Sequence, residues 1–254
     1  MNWCKKMSKL KIFLLLFLSF AFLGGCASSK NEDSERLPVE RLYNRAHKQL
    51  VKTKYKKAAE TFEQVELEYP YSKWATEAKL MGAYAYYKNE KYDDAVMALD
   101  RFIRFHPGNE NIAYAYYLKA ICYFDQISDV NRDQGETAKA LDAFQQVVMR
   151  FPNSKYAADA KQKMIFARSN LAGQEMEVGR YYLGQKNYLS ALNRFSNVVN
   201  NYQTTSYIEE ALYRQIEVYM ILGLSKEAKT TYKVLQYNYP KSSWTAKSAE
   251  LIKG

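Results

Sequence analysis

The sequence predicts an all-α solenoid of five helical hairpins, on three observations. An alanine, an aromatic or leucine four residues later and an apolar residue three beyond that occur together five times. The copies are Ala58-Phe62-Val65, Ala95-Leu99-Phe102, Ala140-Phe144-Val147, Ala191-Phe195-Val198 and Ala228-Tyr232-Leu235. Offsets of four and seven put all three side chains on one helix face. Second, Pro70, Pro107, Pro152 and Pro240 follow four of the triads by five residues, where a proline cannot continue the helix, and Gln203 holds that place in the other copy. Third, the alanines are 37, 45, 51 and 37 residues apart, periods that belong to stacked hairpins rather than to one compact core. Each triad is read as the second helix of a unit with a built-in stop.

At the N-terminus, Lys5, Lys6, Lys9 and Lys11 precede an eleven-residue apolar run at positions 12–22. This has the charge and length of a secretory signal and is too short to span a bilayer; Met7 is an alternative start. The run ends at Leu23-Gly24-Gly25-Cys26, which resembles a bacterial lipobox. That resemblance implies removal of residues 1–25 and a covalent diacylglycerol and fatty acyl group on Cys26, with no other cofactor. Residues 26–37 are polar without apolar period, a lipidated tether. Pro38 at a first helical turn opens the array, residues 38–254.

The repeats are expected at about 38–70, 72–107, 109–152, 155–203 and 206–240, followed by a short cap containing Trp244. Lys54-Tyr55 and Lys91-Tyr92 mark equivalent turns, and a polar loop at 125–135 separates the helices of repeat three. No proline interrupts residues 155–185, so a first helix of up to about 31 residues, or roughly 45 Å, fits there. Gly173 and Gly179 each cost about 1 kcal/mol inside a helix, and a kink near Gly173 is the alternative.

Ala83 and Tyr86 ahead of Ala95, Leu99 and Pro107, with Ala46 in repeat one and Gly179 and Tyr182 in repeat four, resemble the tetratricopeptide-repeat family. The resemblance implies a right-handed α-solenoid of five tetratricopeptide-like hairpins whose first helices line a concave surface. Four stretches narrow it: Ala83-Tyr84-Ala85-Tyr86-Tyr87-Lys88-Asn89, the tail at 98–107, Asn131-Arg132-Asp133, and Phe151-Pro152-Asn153-Ser154-Lys155-Tyr156. Together they resemble the BamD family, lipoproteins of the outer-membrane β-barrel assembly machine. Two departures are a shorter repeat-three loop and Gln203 in place of a proline.

Composition excludes several classes. His47 and His106 are far apart and the three cysteines have no paired spacing, so no metal site or disulfide framework is suggested. Cys122, among Tyr116, Ala120 and Tyr123, is expected to be a buried structural thiol. There is no nucleophile elbow, metal spacing or phosphate-cradling loop, so an enzyme is not expected. Asp93-Asp94 and Glu209-Glu210 are read as solvated helix starts. The net charge of +10 falls to +6 without residues 1–25, and no long basic run suggests nucleic acid.

The family resemblance implies a non-enzymatic scaffold and substrate receptor, lipid-anchored at the periplasmic face of the outer membrane. Its implied partners are the POTRA domains of BamA, other lipoproteins of the complex and unfolded outer-membrane proteins. Asn193 and Arg194 match a pair that in the family lies at the POTRA contact. Counting from Ala46, Ala83 and Ala120 places Tyr43, His47 and Leu50, then Tyr84, Tyr87 and Lys88, then Tyr114, Tyr117 and Ile121 on the concave surface. Tyrosine suits a groove for extended peptides, offering an apolar face, a polar tip and few torsions to freeze. Lys88 could meet a terminal carboxylate. The alternative function is that of another periplasmic repeat lipoprotein coordinating envelope division or peptidoglycan synthesis.

Overall fold

The computed structural model describes residues 37–130 and 132–253. Cys26, the signal segment and nearly all of the tether lie outside the described residues. Among those described there are eleven helices and no strand. They are α1 (Val39–Val51), α2 (Tyr55–Glu68), α3 (Lys73–Lys88), α4 (Tyr92–Phe105), α5 (Ile112–Phe124), α6 (Gly135–Arg150), α7 (Ala157–Gly184), α8 (Tyr188–Asn201), α9 (Ile208–Ile221), α10 (Ser225–Asn238) and α11 (Ser243–Lys253). Each packs on its neighbours in chain order, and α1 also touches α3, α3 touches α5, α5 touches α7 and α9 touches α11. That next-but-one contact is what stacking of two-helix units requires, because a single hairpin cannot cover its own apolar face.

The repeated triads form the core. All five alanines are fully buried, as are Phe62, Leu99, Phe144 and Phe195 and the third members Val65, Val147, Val198 and Leu235, with Phe102 at 1 % exposure. Tyr232 is only half-buried, in the last hairpin, where α11 is the final covering element. Cys122 is fully buried, and burial pushes its thiol pKa up to about 12.

Helix stops recur as predicted. Tyr69, His106, Phe151, Tyr202 and Tyr239 each leave helical ψ, with φ between −127 and −134, while their N–H groups still donate to the fourth carbonyl back. A following proline disfavours helical ψ at the residue before it. Tyr202 precedes Gln203 and leaves helical ψ too; there the Thr205 hydroxyl and N–H both donate to the Tyr202 carbonyl, at 2.8 and 3.1 Å, a local turn that needs no proline.

The four short hairpin turns share one device. Thr53, Glu90, Lys186 and Gly223 have φ of 57, 58, 59 and 74°. The next N–H groups, of Lys54, Lys91, Asn187 and Leu224, reach back to the carbonyls of Gln49, Tyr86, Tyr182 and Tyr219 at 2.8–3.0 Å. This is a Schellman closure, which satisfies orphan carbonyls at a helix end. The longer repeat-three loop is held by buried Gln134, whose Nε2 donates to the carbonyls of Asp129 (2.9 Å) and Arg132 (3.1 Å) while its Oε1 accepts from Thr137 (2.7 Å).

The segment read as either one long helix or a kinked pair is a single 28-residue helix. Its glycines serve close packing: a Cβ at Gly173 would meet Tyr207 Oη at 3.0 Å, and one at Gly179 would meet the Phe195 ring at 2.5 Å.

Three stability outcomes follow. Gly179→Ala should destabilise by about 1–3 kcal/mol, since overpacking against a fully buried ring outweighs alanine's helix preference of about 1 kcal/mol. Gly184→Ala, with nothing within 4 Å of the added carbon, should show no loss, and a urea midpoint for each variant measures the difference. Thr53→Gly should stabilise by up to about 1 kcal/mol, because a β-branched residue is strained at positive φ. A lower melting temperature would mean that the Thr53 hydroxyl bond to the Lys52 carbonyl at 2.7 Å outweighs that strain.

Candidate functional site

The predicted surface residues divide by environment. His47 and Lys88 are exposed, Tyr43, Tyr84, Tyr87, Tyr114 and Tyr117 are half-buried, and Leu50 and Ile121, expected on the same surface, are buried at 8 % exposure each. These two lie within reach of the hairpin interior, where burying an aliphatic side chain is worth about 1.5–3 kcal/mol. Tyr43 is an inter-helix plug rather than a free ring: it lies 5.5 Å from Phe62 on α2 and 4.8 Å from Trp74 on α3.

The other four tyrosines are brought together. Tyr84 and Tyr87 are 6.2 Å apart, and both pack with Tyr114 on the core of hairpin two. Tyr114 and Tyr117 meet Tyr156 at 5.6 and 4.9 Å, the latter pair stacked at 22°. Lys88 Nζ lies 5.9 Å from the Tyr87 ring centroid and 6.0 Å from that of Tyr55, a cation over two aromatic faces.

The hydroxyls of Tyr43, Tyr87 and Tyr117 are committed to carboxylates on later elements. Tyr87 donates to Asp125 at 2.8 Å and Tyr117 to Asp159 at 2.5 Å, while the Tyr43 hydroxyl faces Glu77. Burial first, and the adjacent carboxylates second, raise all three tyrosine pKa values. A raised pKa gives stability that is fully present below the unfolded value near 10 and lost as pH rises through the folded one. The rungs therefore persist across the neutral range. Tyr156, Asp125 and Asp159 were missed because the rungs connect residues 38 and 42 positions apart, beyond any single-helix period. Tyr156, within the quoted Phe151–Tyr156 stretch, was the one available signal.

In repeat four, Asn193 and Arg194 are exposed on α8 and border an open depression of about 390 Å³ with Glu175, Tyr182, Ser190 and Asn197. Arg194 is not wholly free. Its Nη1 donates to both oxygens of Glu175 on α7 at 3.2 Å, which fixes the guanidinium while Glu175 engages only that one nitrogen. The reading of Glu210 as a solvated helix start needs correcting. Its carboxylate is 17 % exposed and takes Arg180 Nη1 at 3.0 and 3.1 Å and Arg214 Nε at 3.3 Å, because α9 docks its first turn beside α7. A further surface escaped the sequence reading: Phe124, Ile127, Val130 and half-exposed Phe166 line an open recess of about 740 Å³ between the repeat-three loop and α7. Among the described residues no group of three or more His, Cys, Asp or Glu could hold a metal ion, and no helix is long and apolar enough to cross a membrane.

The family model YfiO, described as outer membrane lipoprotein, matches residues 35–235. The outer membrane protein assembly factor BamD of Rickettsia prowazekii is 46 % identical over 243 residues, 96 % of this chain and 97 % of that protein. Those of Caulobacter vibrioides and Neisseria meningitidis serogroup A are 43 % and 37 % identical, each over 91 % of this chain and over 77 % and 92 % of their own lengths. On this coverage and identity, the chain belongs to the BamD family of outer membrane lipoproteins.

Proposed function

We propose that the protein is a non-enzymatic scaffold and substrate receptor in outer-membrane β-barrel assembly, anchored by lipid on Cys26 at the periplasmic face of the outer membrane. The observation that carries this reading is the likeness to outer membrane protein assembly factors along nearly the whole chain. The geometry adds two surfaces suited to the task. Tyr84, Tyr87, Tyr114 and Tyr117 present ring faces whose hydroxyls are in part already satisfied, a surface for extended apolar segments of unfolded barrel proteins, with Lys88 available for a carboxylate. The depression at Asn193 and Arg194 is assigned to the POTRA region of BamA, where the free edge of the guanidinium would grip a carboxylate.

Two measurements test this. Arg194→Glu should weaken co-purification with BamA about tenfold or more, equivalent to about 1.4 kcal/mol, whereas Glu175→Gln, which frees Arg194, should not. Equal losses in both would assign the effect to the internal ion pair. For the tyrosine surface, a peptide copying a barrel protein's C-terminal strand is titrated against two variants. Tyr84→Ala/Tyr87→Ala/Tyr117→Ala should bind roughly tenfold more weakly or worse, from about 0.5–1.5 kcal/mol per aromatic contact. Tyr87→Phe/Tyr117→Phe keeps the rings, loses the Asp125 and Asp159 bonds, and should retain affinity. Unchanged binding in the alanine variant, with unchanged helical circular dichroism, would remove this surface from the receptor role.

A further inference from the structure

We propose that the turn of the first hairpin is a foot that rests on anionic phospholipid headgroups and sets the orientation of the array on its membrane. Lys48, Lys52, Lys54, Lys56 and Lys57 fall within ten residues and all are exposed, with Val51 70 % exposed among them. Exposed Lys88, at the end of α3 and kept for the peptide surface, lies next to them across the Tyr55 ring. None of the six takes part in the ion pairs found among the described residues. The acids nearest in sequence are Glu40 and Glu60 on either side of the five, and Glu90 beside Lys88. The third hairpin's loop is the opposite in character, with Asp125, Asp129 and Asp133 around Arg132. Cationic charge is thus gathered at this turn, as it is again in the last hairpin and cap, where six lysines face two glutamates.

The chemistry fits a phosphate plane. Ammonium groups are compact point charges that bind phosphate without demanding a fixed geometry, and basic clusters beside a lipid anchor are drawn to anionic leaflets. Val51 and Tyr55 add the aliphatic and aromatic side chains that settle at a bilayer interface. The cluster surrounds an exposed turn, which suits a flat surface better than it suits the grip of a single acidic peptide. Reach is sufficient: the thirteen steps along the chain from Cys26 to Val39 extend at most about 45 Å, and the 13-residue α1 is about 20 Å long. The inference rests on the lipid-anchored reading, which holds the foot at high effective concentration next to the headgroups.

The test uses the lipidated mature protein carrying one environment-sensitive dye at Val51→Cys. Cys122 is buried with a raised thiol pKa and stays unlabelled. The protein is reconstituted into phosphatidylethanolamine vesicles with or without phosphatidylglycerol. A blue shift, with quenching by a bilayer-embedded quencher, is expected only with phosphatidylglycerol. It should vanish at 1 M salt, where the screening length is about 3 Å. It should also vanish in Lys52→Glu/Lys54→Glu/Lys57→Glu, since three lysines at roughly 5-fold each amount to about 100-fold. A dye at Tyr237→Cys, an 87 % exposed position in the fifth hairpin, should stay in water throughout. Flotation with the vesicles but no shift at position 51, a shift independent of phosphatidylglycerol, or the same shift at 237 overturns the foot and leaves the anchor standing. A shift driven by an added acidic peptide instead would assign the patch to a protein partner and overturn it too. Failure to float overturns the anchor and the foot together.

Discussion

A two-helix unit of about thirty residues cannot bury its own apolar stripe, and the rest of the structure follows from that constraint. Each alanine of the repeated triad is fully buried, which lets two helices approach closely enough for the neighbouring aromatic to fill the space between them. Phe62, Phe144 and Phe195 occupy that space without measurable exposure. The glycines of α7 extend the same logic, because the Phe195 ring lies where any side chain at Gly179 would be. The last unit shows the reverse case: α11 packs on α9 and α10, with Trp244 5.0 Å from Tyr213, and so covers a face that would otherwise meet water.

Apolar stacking fixes which hairpins touch, and polar rungs fix their rotation. Tyr43 toward Glu77, Tyr87 to Asp125, Tyr117 to Asp159 and Arg180 to Glu210 each join a first helix to the next first helix or its end. A half-buried hydrogen bond contributes little net stability, about 1 kcal/mol, but leaving either partner unpaired costs more. Such pairs therefore discriminate between registers better than they strengthen one. The rungs change character along the chain, from tyrosine in the N-terminal hairpins to arginine in the C-terminal ones. The first kind leaves aromatic faces at the surface and the second a network of fixed charge, with Arg214 over the rings of Tyr213 and Trp244.

Charge is placed unevenly as well. The first hairpin's turn gathers lysines, while Arg194 and Glu175 pair across the repeat-four depression. Exposed pairs of this kind are worth about 0–1 kcal/mol, so their use lies in presenting an oriented group rather than in holding the fold. A scaffold needs such differentiated surfaces on a repeating frame. The frame is uniform because the core triad is uniform, and the surfaces differ because outward positions are free of that requirement.

The sequence by itself determined the periodic quantities: five triads, the stops after them, the hairpin turns beside Lys54-Tyr55 and Lys91-Tyr92, the long element in repeat four and the burial of Cys122. These depend on spacing within one or two helices, where offsets of four and seven settle which side chains share a face. The tertiary structure decided what lies across helices. It made α7 continuous by using Gly173 and Gly179 as contact points, buried Leu50 and Ile121, and tied Tyr87, Tyr117, Arg194 and Glu210 to partners on other elements. The physical reason is that an ion pair or hydrogen bond between helices depends on their relative rotation, which no spacing along a single chain segment encodes.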